Sequence, residues 1–463
     1  MNQKTSSQIE RIKGKLIIAK DTDKNLEVFG ASSHKYFVGE TVSINQISDF
    51  EKEYNLELPE AYKEFLLNIG NGGISHSDSA AGPYYGIYSL GKNTNEFIYE
   101  NTKSYLKEDC KISPKMSNKF WSDLNKNIEE NDDISEEEFD LELGKIFSGL
   151  LPLGSQGCTY YHALVLNGKF KGRVVNVDSD RQKPHFTFEP NFLDWYERWL
   201  DEIIPENIKT SNPDLFQYTL GGISGHIFEV YFSTNKIDIK MDCLFGILKK
   251  KNLDPETIDL VEEQYKVNSG AIQKRLLQIL TKFDYERAYP HLLDFTKESL
   301  LDVFQCVFWY AKDKSSDWLE TIKSNANTID DEETFRLCTY LLKETDLDYG
   351  DILIPFTFNK NKNIRISAYY ALGQLKNKAD YIDAFIAGLN DTSNRVIHSV
   401  LQALDGVEDR KLLKHYKGIA EKIPREKDYI LANLNHRLKT YGLTNKTIKK
   451  TDLEKYFIDE VKK

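Results

Sequence analysis

"LPEAYKEFLLNIGNGG" spans Leu58 to Gly73, and its reading decides the fold of the front of the chain. Pro59 fits a first helical position, because the N–H it lacks would have no partner there. Tyr62, Phe65, Leu66 and Ile69 recur at helical spacing and form one apolar face. Gly70 to Gly73 then stop the helix, since glycine takes the left-handed cap without a steric penalty. The glycines are punctuation and hold no phosphate: the spacing GxxxxGK[ST] is absent.

Outward from this helix, Ser43 has Gln46 three residues on, the spacing of a capping box. Ile44, Ile47, Phe50 and Tyr54 follow as a helical stripe. Further back, "KLIIA", "LEVFG" and "KYFVG" within residues 12–42 read as short strands between polar turns. Forward lies "AGPYYGIYSL" (Ala81–Leu90), a turn feeding a β-like run, then a segment of variable character over 91–149. Strands return in "LLPLGSQGCTYYHALVLNGKFKGRVVNVDSD", where Asn167–Gly168 between two apolar runs is a hairpin signal. "PNFLDWYERWLDEII" is an amphipathic helix with Phe192, Trp195, Trp199 and Ile203 on its core face. A bridge follows over 205–255, with a glycine-rich start and a strand-like run in "TLGGISGHIFEVYFS".

Beyond Pro255 the pattern becomes helical throughout: "AIQKRLLQILTKF", "LLDVFQCVFWYAK" and "ETFRLCTYLLKE" are separated by short polar breaks. "NIRISAYYALGQL" (Asn363–Leu375) repeats as "RVIHSVLQALDGV" (Arg395–Val407) at an offset of 32. Ser367 matches Ser399, Ala371 matches Ala403 and Leu372 matches Leu404, and the apolar positions between them agree. Such a period marks helix pairs that bury a core only by stacking. This part resembles a HEAT-like solenoid of five or six helix pairs. The expected domains are 1–208, an α+β unit with an N-terminal strand extension; 209–254, a linker; and 255–463, the helical repeats.

Length favours more than one domain, since 463 residues exceed one compact core. No run of about 18 apolar residues is present, so no membrane span is expected. The start, MNQKTSSQIERIKGK, has no apolar run of signal-peptide type, and the cytoplasm is the expected compartment. Five dispersed cysteines without CxxC give neither a disulfide framework nor a zinc cluster. The net charge is −11. Residues 254–463 hold 34 acids and 32 bases, so the first 253 hold 72−34=38 acids against 61−32=29 bases, a net of −9. The acidity peaks in "EENDDISEEEFDLE" (Glu129–Glu142), nine acids without a base. Such a surface repels nucleic acid and attracts a basic protein; a solvated loop is the plainer reading.

The stretch "FEKEYNLELPEAYKEFLLNIGNGG", then "GPYYGIYSL", then "LLPLGSQGCTYY" with "LVLNGKFKGRVVNVDSD", and last "FLDWYERWL", taken in this order, resembles the SUKH superfamily, whose members include yeast cell-wall-synthesis regulators. Glu51, Leu58, Pro59, Tyr62, Phe65, Asn71, Gly72, Gly73, Phe192 and Trp195 fall where that pattern places its structural residues, and the likeness covers about residues 40–203. The acidic insert and the solenoid lie outside the pattern. The resemblance implies an antiparallel sheet with packed helices and, in bacteria, a non-catalytic immunity protein that binds a polymorphic or contact-dependent toxin, often a nuclease. An intracellular scaffold or regulatory hub, binding through the solenoid, is the alternative. Tyr84, Tyr85 and Tyr88 are the expected aromatic anchors and Glu136, Glu137 and Glu138 the expected electrostatic contacts. Packing of those tyrosines on the sheet is the competing reading.

Catalytic constellations are missing. Cys158 and His162 lack an acidic partner nearby in sequence. His162 with His185 makes two metal ligands without a third. "ISHSDS" (Ile74–Ser79) holds Ser, His and Asp too close along the chain for a triad. "VDSD" (Val177–Asp180) reads as turn chemistry, and Glu136–Glu138 lack the alternation of a calcium loop. The basic clusters "ILKKKNL" and "KYFIDEVKK" are too small for a nucleic-acid surface. No catalytic residue, cofactor or metal is therefore expected, and the expected partner is a protein.

Overall fold

The computed structural model describes residues 3–73, 79–204, 218–345, 347–423 and 428–454. The chain divides into two compact units, Met1–Leu260 and Val261–Lys463.

The first unit is α+β. Its first helix, α1 (Gln3–Thr22), corrects the expected strand at "KLIIA". The run is short and β-branched, but Ile9, Ile12, Leu16 and Ala19 lie on one helical face and are buried, while Ile17 and Ile18 stay exposed. Packing thus overrides local β preference. "LEVFG" and "KYFVG" form no extended strand either; the one-turn helix α2 (Ala31–His34) lies between them. Helix α3 (Ile44–Tyr54) carries the expected capping box, with Gln46 N donating to Ser43 Oγ at 3.3 Å and Ser43 N to Gln46 Oε1 at 2.9 Å.

Helix α4 (Glu60–Asn68) starts one residue after Pro59, which is its N-cap. Glu51 fixes the approach to it, accepting from Leu58 N at 2.8 Å and pairing with Lys63 at 3.3 Å. Tyr62, Phe65 and Leu66 are buried. Past the helix, Asn71 O accepts from Gly39 N at 2.8 Å, and Asn71 Oδ1 accepts from Leu90 N at 2.9 Å. A Cβ on Gly70 would stand 2.4 Å from Gly39 O, so glycine lets two backbone segments touch here. The abrupt exit of "NIGNGG" is a junction of three segments.

Strands β1 (Ser79–Ala80) and β2 (Ile87–Tyr88) form a small antiparallel pair. The main antiparallel sheet runs β3 (Leu150–Gly157), β4 (Tyr160–Val165), β5 (Val174–Asp178) and β6 (His185–Phe186) in sequence order. Asn167–Gly168 lies in the β4–β5 connection, as its turn chemistry requires.

Both faces of this sheet are covered, and the strand side chains alternate between two cores. Leu151, Leu153, Leu164 and Val174 pack with α1, α3, α4 and the aromatic helix α8 (Phe192–Ile203). Leu150, Ala163, Val165, Val175 and Val177 pack with the insert, made of α5 (Thr102–Leu106), α6 (Asn118–Glu129) and α7 (Glu136–Ile146). Two covered faces explain why the strands read as nearly continuous apolar runs. Trp195, Trp199 and Tyr196 are fully buried, each contributing on the order of 2 kcal/mol through apolar area removed from water.

The bridge expected over 209–254 is helical where described: α9 (Ser224–Ser233) replaces the strand-like run and packs on α10 (Ile237–Lys249). Ahead of α9, Thr219 O accepts from buried Arg198 of α8 at 3.0 Å. The division between the units falls after Leu260, within the helix Pro255–Val267.

The described part of the second unit is helical and solenoid-like. Gly270–Phe283, Leu300–Tyr310, Glu332–Lys343, Lys362–Gly373, Asn394–Ala403 and Asp428–Lys439 stack side by side as one layer. The intervening helices supply the other. The repeat legible at an offset of 32 is real packing: Ile364, Ala368, Tyr369 and Leu372 are buried, and so are Val396, Val400, Leu401 and Leu404. Ser399 Oγ donates across the pair to Ile366 O at 3.1 Å.

Candidate protein-docking site

The acidic run is a folded edge: it takes in the end of α6, the α6–α7 turn and the start of α7. Ser117 caps α6, and Trp121 ties that helix to the β5–β6 connection by donating from Nε1 to Arg181 O at 3.1 Å. After the α6–α7 turn, Ser135 Oγ accepts from Glu138 N at 3.3 Å while Glu138 Oε2 accepts from Ser135 N at 3.3 Å, a reciprocal cap. The N-terminal end of a helix favours carboxylates, so three consecutive glutamates are tolerated at this position.

The nine acids of the run do different jobs. Asp140 is only 7 % exposed and accepts from Tyr99 N at 2.9 Å and Glu100 N at 3.2 Å. Glu142 pairs with Lys145 and Glu130 with Lys126. Glu136 and Glu137 stay exposed at the helix start. They border a hollow of ≈ 700 Å³ whose apolar walls are Tyr99, Ile134 and Phe139. Tyr99, at 68 % exposure, is the residue sequence reading missed. It lies in "TNEFIYENT", where no periodicity marks it. Ile134 also borders a second hollow of ≈ 370 Å³, which Glu138 and Glu142 line.

The tyrosines expected as anchors lie elsewhere. Tyr84 and Tyr88 are 6 % and 5 % exposed, so their rings serve the core and offer no anchor to a partner. Tyr84 stacks near Phe29 and His162 with centroids 5.8 and 5.4 Å apart. Burial pushes the Tyr88 phenol well above its ordinary range. Tyr85 is half-buried, edge-on to the exposed Phe29 at 5.5 Å.

The catalytic pairings stay apart. Cys158 is exposed in the β3–β4 turn, whereas His162 is fully buried. Gln156 Nε2 donates to His162 Nδ1 at 3.1 Å, and Nε2 faces Pro83 O at 3.3 Å, which fixes the Nε2–H tautomer. His162 and His185 both pair in register with Asn176, which stands between them. Asp178 Oδ1 accepts from Asp180 N at 3.0 Å, the expected turn chemistry. Residues 74–78, which carry the Ser, His and Asp of "ISHSDS", lie outside the described residues. Among the described residues no group of three His, Cys, Asp or Glu side chains is placed to hold a metal ion, and no helix is long and apolar enough to cross a membrane.

An α+β domain with helices on both sheet faces and an acidic edge is thus the architecture of the first unit. Residues 41–198 match the sequence model of the SMI1 / KNR4 family (SUKH-1). The chain carries a SUKH domain over this range, followed by a helical, repeat-like region. The family is associated with immunity proteins, generally non-catalytic, and with protein partners in general. No curated protein matches the chain, and no solved structure does. The match ends inside α8 and leaves α1 outside. Yet α1 is bound to α8 through Arg11 and Lys15, which reach Glu197 at 2.9 and 2.8 Å.

Proposed function

We propose that the chain is a cytoplasmic immunity protein that neutralises a basic bacterial toxin of the polymorphic or contact-dependent kind by non-catalytic docking. A nuclease is the toxin class an acidic surface suits best, because its cationic groove is built for phosphates. The observation that carries this reading is the acidic run's position: a capped helix start holds Glu136 and Glu137 exposed at the mouth of an apolar-walled hollow. The family match and the front-loaded negative charge support it. Charge of this sign speeds encounter with a basic partner by about tenfold or more at low salt.

The test is rescue. Co-expression with the toxin encoded beside this gene restores growth, and association of the purified pair slows steeply as salt rises. Failure to rescue sinks the proposal, and association indifferent to salt sinks its electrostatic half. A scaffold role draws on one specific observation in the second unit. Phe308 and the exposed Tyr340 stack across adjacent helices with centroids 5.2 Å apart, and exposed Tyr370 follows on the next helix with Lys343 Nζ 5.9 Å from its ring centroid. A pull-down that returns stable cellular complexes and no toxin favours that reading.

A further inference from the structure

We propose that the hollow beside α7 receives an arginine side chain of the protein partner, its guanidinium lying against Tyr99 and its charge met by Glu136 and Glu137. This rests on the reading that the acidic edge is a docking face. Three observations select arginine.

The hollow, at ≈ 700 Å³, holds a long side chain, and no Lys or Arg stands among its described lining residues. Any cation that enters therefore comes from outside this site. Its walls are apolar and aromatic and its rim is anionic. That mixture suits a planar, weakly hydrated guanidinium better than a strongly hydrated ammonium. The protein already uses the pairing next door: the guanidinium of its own Arg181 lies 5.5 Å from the ring centroid of Phe139, one of the walls. The site is also built in advance. Asp140 holds the backbone of Tyr99 and Glu100 through two amides, so the backbone that carries this wall needs no ordering when a partner arrives.

The experiment uses the full chain with tetra-arginine and tetra-lysine peptides, equal in charge, titrated calorimetrically. The arginine peptide binds roughly fivefold more tightly, because a planar, weakly hydrated guanidinium stacks on an exposed ring better than an ammonium does. Tyr99→Leu abolishes that preference, and Tyr99→Phe, which keeps the ring, retains it. Glu136→Gln with Glu137→Gln weakens both peptides. Equal affinity for the two peptides, or a preference that survives Tyr99→Leu, overturns the proposal. Toxin rescue reports separately. Rescue without an arginine preference removes this site and leaves the immunity reading standing; a preference without rescue does the reverse.

Discussion

Acid should loosen the first unit through one buried histidine. His34 sits at the end of α2, with its ring edge-on to Tyr36 and to Trp199 at 5.3 and 5.7 Å. Its Nδ1 accepts from Tyr36 N at 3.0 Å, so protonation there breaks a hydrogen bond inside the core. Burial lowers its pKa from the ordinary 6.5 to about 4. The backbone near Gly82 and Tyr84 and the buried carboxylate of Asp23 favour the charged form but do not outweigh desolvation. Asp23 is already engaged by Tyr36 Oη at 2.7 Å and by the amides of Glu27 and Val28. The unfolded chain binds this proton near pH 6.5 and the folded chain only near 4. The stabilisation is therefore complete above the unfolded value and is lost as pH falls toward the folded one. At about 1.4 kcal/mol per pKa unit the full loss is about 3 kcal/mol, of which about 2 kcal/mol is gone by pH ~5.

Urea unfolding of the full chain, followed by tryptophan fluorescence at pH ~7.5 and ~5, measures this, since Trp199 touches the imidazole. A His34→Gln variant starts less stable but loses about 2 kcal/mol less over the same interval. Parallel losses in the two proteins refute the reasoning. So does an imidazole C–H resonance of His34 that titrates at its ordinary value.

Other perturbations follow from single contacts. Gly154→Ala places a Cβ 2.0 Å from Gly86 O and should lower stability by about 2 kcal/mol or more, read as a fall in the thermal midpoint. Asp140→Ala strands the amides of Tyr99 and Glu100; we expect about 1–3 kcal/mol of destabilisation and loss of arginine-peptide binding together. The double change Glu136→Gln with Glu137→Gln should slow association with the proposed basic partner while the unfolding free energy stays within about 1 kcal/mol of wild type.

What the sequence disclosed follows from how local each signal is. The capping box at Ser43, the helix end just ahead of Gly70 and the apolar face of α8 are set by residues within a turn or two of one another, and all are present, although the cap itself is Ile69 in a right-handed conformation and not a left-handed glycine. The repeat in the solenoid was legible because stacking imposes the same small and apolar residues at each step. The strands expected in residues 12–42 failed because "KLIIA" has a local β preference that contact with α8, more than 170 residues away, overrides. The insert defied reading for a related reason: its apolar residues are spaced to meet the far face of the sheet, and no single helical or strand period runs through Phe97, Ile112, Trp121 and Phe147. Tyr84 and Tyr88 looked like surface anchors because aromatic residues beside glycines fit both a binding loop and a tight core turn. The close approach of Gly86 to Ala80 and Gly154 decides for the core.

The same insert completes a core and presents the acidic edge, so stability and binding share residues and must be separated by substitution. Glu138 is the test case. Its carboxylate accepts from Ser135 N and closes the cap of α7, while Glu136 and Glu137 make no such bond among the described contacts. Glu138→Gln keeps an acceptor and should leave the helix intact; Glu138→Ala removes it and should cost about 1 kcal/mol with faster amide exchange in the first turn of α7. Any loss of the proposed partner binding in Glu138→Ala is then partly a loss of helix. Loss in Glu136→Gln at unchanged exchange is loss of contact alone. Amide protection that stays intact in Glu138→Ala, or frays in Glu136→Gln, would show that this division of labour along the acidic run is wrong.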